Sequence, residues 1–316
     1  MKKSFVRIFL LLLITVVSFG YSSSNEVKYE DDFSLVSLID INEIILDENR
    51  IFVSVEDIEK ATEMFIFVND ILVDTNTSVS ENDVLNISLE VNNLPANNID
   101  ICIGNEDVVE GLDNMLLGKN INDIIEFSSN SDSYRITINS IKKYPTELTD
   151  DIVTTFLNFE SACEVKQYIK DTIVKNRIQE EAYYQLIYNS GISGEPNNLN
   201  KYVSDMLYKQ ENAAKESGLS MDEYLIENYE LSIAEFEETM KQFYYEMLIV
   251  NAFAKKHDLY PSQSEIDIFI KEFADEQGIS YDEANSVYGK EYFLYSFNYD
   301  NVCNYLFEFI SARLNK

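Results

Sequence analysis

Histidine is all but missing from this chain. His257 stands alone, so imidazole catalysis and histidine-based metal centres have a single residue to draw on. It follows "AFAKK", at a helix end where a positive side chain favours the dipole. Cysteine is scarce as well. Cys102, Cys163 and Cys303 are odd in number and far apart, and no C-x-x-C occurs. That pattern offers neither a zinc site nor a redox pair, and each thiol reads as a small buried hydrophobe. There is no D-x-D-x-D-G calcium loop, no P-loop and no dinucleotide fingerprint. The chain is expected to carry no cofactor and no metal. Basic residues are the last shortage: 24 Lys and Arg stand against 56 Asp and Glu, a net charge of -32. Such a chain repels nucleic acid, ribosomal RNA and anionic membrane surfaces, and none of them is an expected partner.

What the chain does contain is apolar. Hydrophobic residues make up 46% of 316, enough for a sizeable core and for more than one domain. The first residues form a basic head (Lys2, Lys3, Arg7), an apolar run from Ile8 to Val17 and a small, polar exit at "SFGYSSSNE". These are the three parts of a secretory signal, and the run is short for a membrane span. Residues 1–24 are therefore expected to export the chain, either cleaved or retained as an N-terminal membrane attachment. Residues 25–64 read as an acidic linker, in which Glu30, Asp31 and Asp32 are solvated, followed by one or two short strands over Leu35–Ser54 and a helix capped by Ser54.

From Ile71 to Ile141 the hydrophobic period is two. "DVLNISLEV" sets Leu85, Ile87 and Leu89 against Asn86, Ser88 and Glu90, and "IDICI", "DIIEF" and "YRITINSI" repeat the pattern between Asn-rich turns. A helix is predicted over Val108–Leu117. At Pro145 the period changes to that of helices. Apolar stripes run from Tyr168 to Ile187, Leu199 to Ala214, Ile233 to Ala254 and Ile266 to Ala274, with a last helix over Tyr292–Leu314. Ser220/Glu223, Ser232/Glu235, Ser262/Glu265 and Ser280/Glu283 have capping-box spacing.

"IGNEDVVEGLDNMLLGKNINDIIEF", from Ile103 to Phe127, resembles the strand, glycine turn and short helix of FKBP-type prolyl isomerases, with Gly111 and Gly118 on two family glycines and Asn122 in place of a third. "ITINSIKKYPTELTDDIVTTFLNFESACEVKQYIKD" and the helical remainder resemble the corresponding junction and C-terminal domain of trigger factor. The resemblance runs from about Phe65 to the C-terminus. It implies a proline pocket lined by Val108 and Val109, floored by Leu112, with the Val109 N–H binding the substrate carbonyl. The Phe, Tyr and Met load of the helical half reads either as helix–helix core or as an apolar cradle for unfolded chains, at Met206, Phe236, Met240, Phe243, Tyr244 and Met247. The sequence departs from active isomerases where "NNLPANN" and "SSNSDS" replace the walling loop and the flap. Val108, Val109 and Leu112 are equally the residues that a sheet–helix core would place there. The basic ribosome-docking motif of trigger factor is absent.

These readings combine into an α+β protein: a small antiparallel FKBP-like sheet with one helix over 65–144, then an extended all-α helical-arm domain over 145–316. The expected function is ATP-independent holding and folding of unfolded or nascent exported polypeptides at the outer face of the cytoplasmic membrane, without the ribosome. Two rivals stand beside it, an active prolyl cis–trans isomerase and a dedicated cell-surface binding protein.

Overall fold

A computed structural model of the protein describes residues 29–105 and 108–314; the expected signal segment lies outside them. In chain order, a 3-10 helix Tyr29–Leu35 leads into strand β1 (Val36–Ser37), a 3-10 turn Ile41–Glu43 and helices α1 (Glu48–Ile51) and α2 (Val55–Val68). Then come β2 (Val73–Thr75), β3 (Val84–Val91), β4 (Asn97–Cys102), α3 (Leu112–Leu116), β5 (Ile124–Ser129) and β6 (Asp132–Lys143). The rest is α4 (Asp150–Phe156), α5 (Ala162–Asn189), β7 (Gly191–Ile192), α6 (Leu199–Glu216), α7 (Met221–Tyr229), α8 (Ile233–Lys256), α9 (Gln263–Gln277), α10 (Tyr281–Tyr288) and α11 (Lys290–Leu314). The fold is mixed helix and antiparallel sheet. It divides into two compact units, Phe52–Val174 and the residues up to Ile51 together with those from Lys175 on.

In the first unit β6 is the spine. One edge of it pairs with β3 along most of its length, and the other pairs with β5 at its start and with β2 at its end. β4 pairs with β3, so the order is β2-β6-β3-β4 with β5 beside β6. The two-residue alternation sorts the faces as the sequence predicts. Leu85, Ile87, Ile101, Ile136 and Ile138 face inward and pack with Leu112 and Leu116 of α3. Outward, Asn86, Ser88, Asn98, Asp100 and Asn139 hydrogen-bond one another across three strands. The helix of this region is shorter than predicted: Gly111, at φ +82°, forms its N-cap, and that left-handed corner starts it at Leu112. A second core joins α2, α4 and the start of α5 through Ile66, Ile71, Leu148, Val153, Val165 and Ile169. Pro145 therefore marks a change of secondary structure and not of packing unit.

The second unit is built round α8. Every residue from Met247 to Ala254 is buried, and α8 as a whole packs against α6, α7, α11 and the 3-10 helix Tyr29–Leu35. Ser220, Ser232 and Ser262 cap their helices with Glu223, Glu235 and Glu265 bonded reciprocally, and Ser280 accepts from the Glu283 N–H. α9, α10 and the start of α11 close a smaller aromatic core round Phe293. Buried polar groups join helices far apart in sequence. Glu246 accepts hydrogen bonds from the hydroxyls of Tyr183 (2.5 Å) and Tyr295 (2.7 Å). Burial raises its pKa, although both phenols pull the other way. Asn298 donates to Asn251 at 2.8 Å.

The segment before α2 is not a linker. Asp32 is fully buried. It accepts from the Asn197 N–H at 3.0 Å, the Tyr244 hydroxyl at 2.9 Å, and the side-chain amides of Asn197 and Asn198. β1 pairs with β7, Ile45 exchanges two hydrogen bonds with Gln185, and Arg50 pairs with Glu181 at 2.6 Å. Only Val36–Ser37 forms a strand in the region where one or two strands were expected; Ile41 and Ile44 are buried at a spacing of three, which a 3-10 turn delivers and a strand does not.

Desolvation alone would raise the Asp32 pKa, but the donors on Asn197, Tyr244 and Asn198 outweigh it and hold the carboxyl below its usual value. Its contribution is therefore present above the unfolded pKa of about 3.9 and is lost as pH falls through the lower folded value. Asp32→Ala is expected to lower unfolding stability by about 2–4 kcal/mol at pH 7, because it strands a buried hydroxyl and several amides. Denaturant melts at pH 7 and below pH 3 check this. The difference between variant and parent should shrink in acid.

Candidate functional site

The stretch Ile103–Asp123 is held at both ends by backbone bonds. The Ile103 N–H donates to the Asp83 carbonyl, the Gly118 N–H to the Val79 carbonyl at 2.9 Å, and the Asn122 N–H to the Ile138 carbonyl at 2.8 Å. Asp113, buried at the start of α3, accepts from the Gly104 N–H at 2.6 Å and ties the turn to the helix. Asn122 stands where the resembling family has glycine, and it adopts φ +71°. Asparagine tolerates that left-handed corner better than most residues. The expected floor is closed. Leu112 is 1% exposed and belongs to the sheet core, and the half-buried Val108 and Val109 pack against the same core. The Val109 carbonyl accepts from the Leu112 N–H. These three residues are brought together as packing, and the leucine that would floor a pocket faces other side chains and not solvent.

The six residues expected to form a cradle on the helices are placed the same way. Phe236, Met240, Phe243, Tyr244 and Met247 are all buried along α8, and Met206 on α6 is half-buried. Phe236 packs against Tyr229, Phe243 against Tyr295 and Tyr244 against Tyr202. The expectation of an exposed cradle at these positions is thus corrected. An apolar stripe with a helical period marks a face that seeks a partner, and on α8 the partners are the neighbouring helices.

Exposed apolar groups occur elsewhere. On α2, Met64 (61% exposed), Phe67 (62%) and Val68 (71%) lie at i, i+3 and i+4 and so form one outward face. The Phe67 ring lies 5.4 Å from that of Tyr144, which donates to Asp70. On the opposite side of the helix, Ile66 enters the core. The sequence carried a signal for this face: "MFIFV", Met64 to Val68, is apolar over more than one helical stripe. A shorter pair, Tyr184 and Tyr188 on α5, stacks at 5.6 Å, with the Arg50 guanidinium over Tyr184. Among the described residues no group of three or more His, Cys, Asp or Glu side chains is placed to hold a metal, and no helix is long and apolar enough to cross a membrane.

No family model matches the chain. It shows homology at low identity to trigger factor of Bdellovibrio bacteriovorus, 22% over 167 residues, which is 50% of this chain and 38% of the relative. The chain thus spans well under half of that relative's length. A chain solved under the description "Promiscuous Substrate Recognition in Folding and Assembly Activities of the Trigger Factor Chaperone" aligns at TM-score 0.43 and 19% identity, over 86% of this chain and 72% of that one.

The closed floor sets two expectations. Leu112→Ala should cost about 2–5 kcal/mol of stability, as a core leucine does. The folded parent should leave cis–trans exchange of a proline peptide at its uncatalysed time of roughly tens of seconds at 25 °C. A clear acceleration that Val109→Asp abolishes, with the far-UV spectrum unchanged, would show that a pocket opens after all.

Proposed function

We propose that the chain is a chaperone that holds unfolded or nascent polypeptides without ATP, and that it does so outside the cytoplasmic membrane after export by residues 1–24. The homology to trigger factor supports the general class. The basic head and apolar run of the N-terminus support export, and the net charge of -32 argues against a ribosomal partner. In this reading the sheet unit is a reduced FKBP-like domain, and the helices of the second unit are the counterpart of the trigger factor C-terminal domain.

The observation that carries the proposal is the outward face of α2. A soluble protein seldom leaves three large apolar side chains on consecutive turns uncovered without a use for them. Such a face gains roughly 25 cal/mol for each Å² of apolar area removed from water. Spread over a few side chains, that gain gives weak binding, tolerant of the client's sequence. Methionine in the patch adds adaptability. The acidic surface around it keeps a loaded complex soluble.

The test is aggregation suppression of an unrelated denatured protein, with no nucleotide added. The full chain should protect at a few-fold excess. The triple variant Met64→Ser, Phe67→Ser, Val68→Ser should lose most of that protection while melting as the parent does, since all three side chains are exposed. Met247→Ala, a core change, should lower stability by about 2–5 kcal/mol and leave protection intact well below its melting point. Protection that survives the triple variant would remove α2 as the binding face. No protection by the parent would move a dedicated surface partner ahead of the chaperone reading.

A further inference from the structure

Glu246 holds three helices together through one carboxyl group. It is half-buried on α8. Tyr183 of α5 and Tyr295 of α11 both donate to the same oxygen, Oε1, at 2.5 Å and 2.7 Å. Tyr299, one turn further along α11, packs its ring edge-on to Tyr183 with centroids 4.8 Å apart. The partners of the carboxyl are thus neutral phenols, and no cation acts on it.

A carboxylate oxygen has two lone pairs, and both on Oε1 are taken. Among the described residues nothing donates to Oε2. A proton can therefore attach to Oε2 while both phenol bonds stay in place, and solvent reaches the half-buried side chain to deliver it. The ionised form bears a desolvation cost that the two phenols do not offset, so the pKa is raised. The charged and titratable groups of the surrounding helices are engaged elsewhere. On α8, Lys241 pairs with Glu237 at 3.0 Å, and Tyr244, bonded to Asp32 of the 3-10 helix, lies about 200° round the helix from Glu246. On α5, Glu181 pairs with Arg50 and Glu180 is exposed. On α11, Glu291 acts on Tyr202 and Lys209 of α6, and Asp205 acts on the same lysine. α7 turns Tyr224 and Tyr229 inward, and the Tyr229 hydroxyl donates to Gln210.

We propose that Tyr183, Glu246 and Tyr295 form a proton-operated latch between α5, α8 and α11, which tightens when Glu246 takes a proton from mildly acidic solvent and loosens when it is ionised. The latch stands whether or not the chain holds clients. Its contribution is fully present below the unfolded glutamate pKa of about 4.3 and is lost as pH rises through the higher folded value. Asp32 acts with the opposite sign and below about pH 3.9, so the two effects occupy different windows.

The experiment follows thermal melting and amide hydrogen exchange of the full chain and of Glu246→Gln from pH 7.5 to pH 4.5. Glutamine keeps the shape, can accept both phenols and stays neutral. At pH 7.5 the variant should melt about 2–4 °C above the parent, and the gap should close towards pH 4.5. Exchange of the α5 amides round Tyr183, corrected for the intrinsic rate, should slow several-fold in the parent on acidification and stay level in the variant. Glu276→Gln, which removes an exposed charge, should follow the parent, which separates the latch from net charge. His257 also titrates in this range, with its pKa lowered by burial, but it is common to all the proteins and cancels between them. Tyr183→Phe removes a donor to the ionised form, so the parent's transition should move to higher pH. A gap between Glu246→Gln and parent that is the same at every pH, or a variant that melts below the parent at pH 7.5, overturns the proposal. Should Glu246→Gln fail to fold, Tyr183→Phe decides, and a midpoint that stays in place or moves to lower pH overturns the proposal.

Discussion

A helix buried on every side cannot exist alone, and α8 is such a helix over its C-terminal half. The run Met247–Ala254 has no face left for water. The helix is stable only against its neighbours, which are α6, α7, α11 and the 3-10 helix Tyr29–Leu35. The last of these comes from the other end of the chain. That is why Asp32 reaches Tyr244 across 212 residues, and why its carboxylate is saturated with donors. An ionised group can enter a core only if its lone pairs are filled. The segment before α2 is thus a structural part of the helical unit, and the chain from Phe52 to Val174 forms the other unit.

The large negative charge is consistent with this packing because few acids are buried. Several are consumed at helix starts. Glu223, Glu235 and Glu265 each bond a serine hydroxyl and its N–H, which lowers their pKa and places negative charge at the positive end of a helix. Those inside are matched by donors: Asp32 as above, Asp113 by the Gly104 N–H, Glu181 by Arg50, and the half-buried Glu246, whose pKa is raised by burial, by two phenols. Most of the other acids are exposed and set how the protein meets other molecules.

Local chemistry was legible in the sequence. Period two gave β3 to β6 with their inward faces, period 3.6 gave the five long helices, and the S-x-x-E spacings gave helix starts to the residue. Tertiary assignment was not legible. Met240 and Met247 look in the sequence like Met64, and Phe236 like Phe67. Three are buried and two exposed because α8 is covered by neighbours and one side of α2 is not, a difference no local pattern records. Asp32 reads as solvated because its partners, Asn197, Asn198 and Tyr244, lie more than 160 residues away. The switch at Pro145 reads as a domain boundary because secondary structure changes there, yet Leu148 and Val165 complete a core begun by Ile66.

The turn from Ile103 to Asp123 has two left-handed corners, at Gly111 and Asn122, round the short helix that carries Leu112. The connections at 92–96 and 130–131 are short, and among the described residues Leu112 packs into the sheet core. A pocket floor and a core residue ask for the same apolar side chain in the same place. What separates them is whether a second layer stands off far enough to admit a ligand. Without that layer burial is the lower-energy outcome for Leu112, and the turn remains as a brace for the sheet. On the proposed reading, recognition then falls to side chains left outside the packing, the apolar face of α2. Binding there requires no covalent step. It acts through affinities weak enough for a client to leave, which is what a holding activity demands.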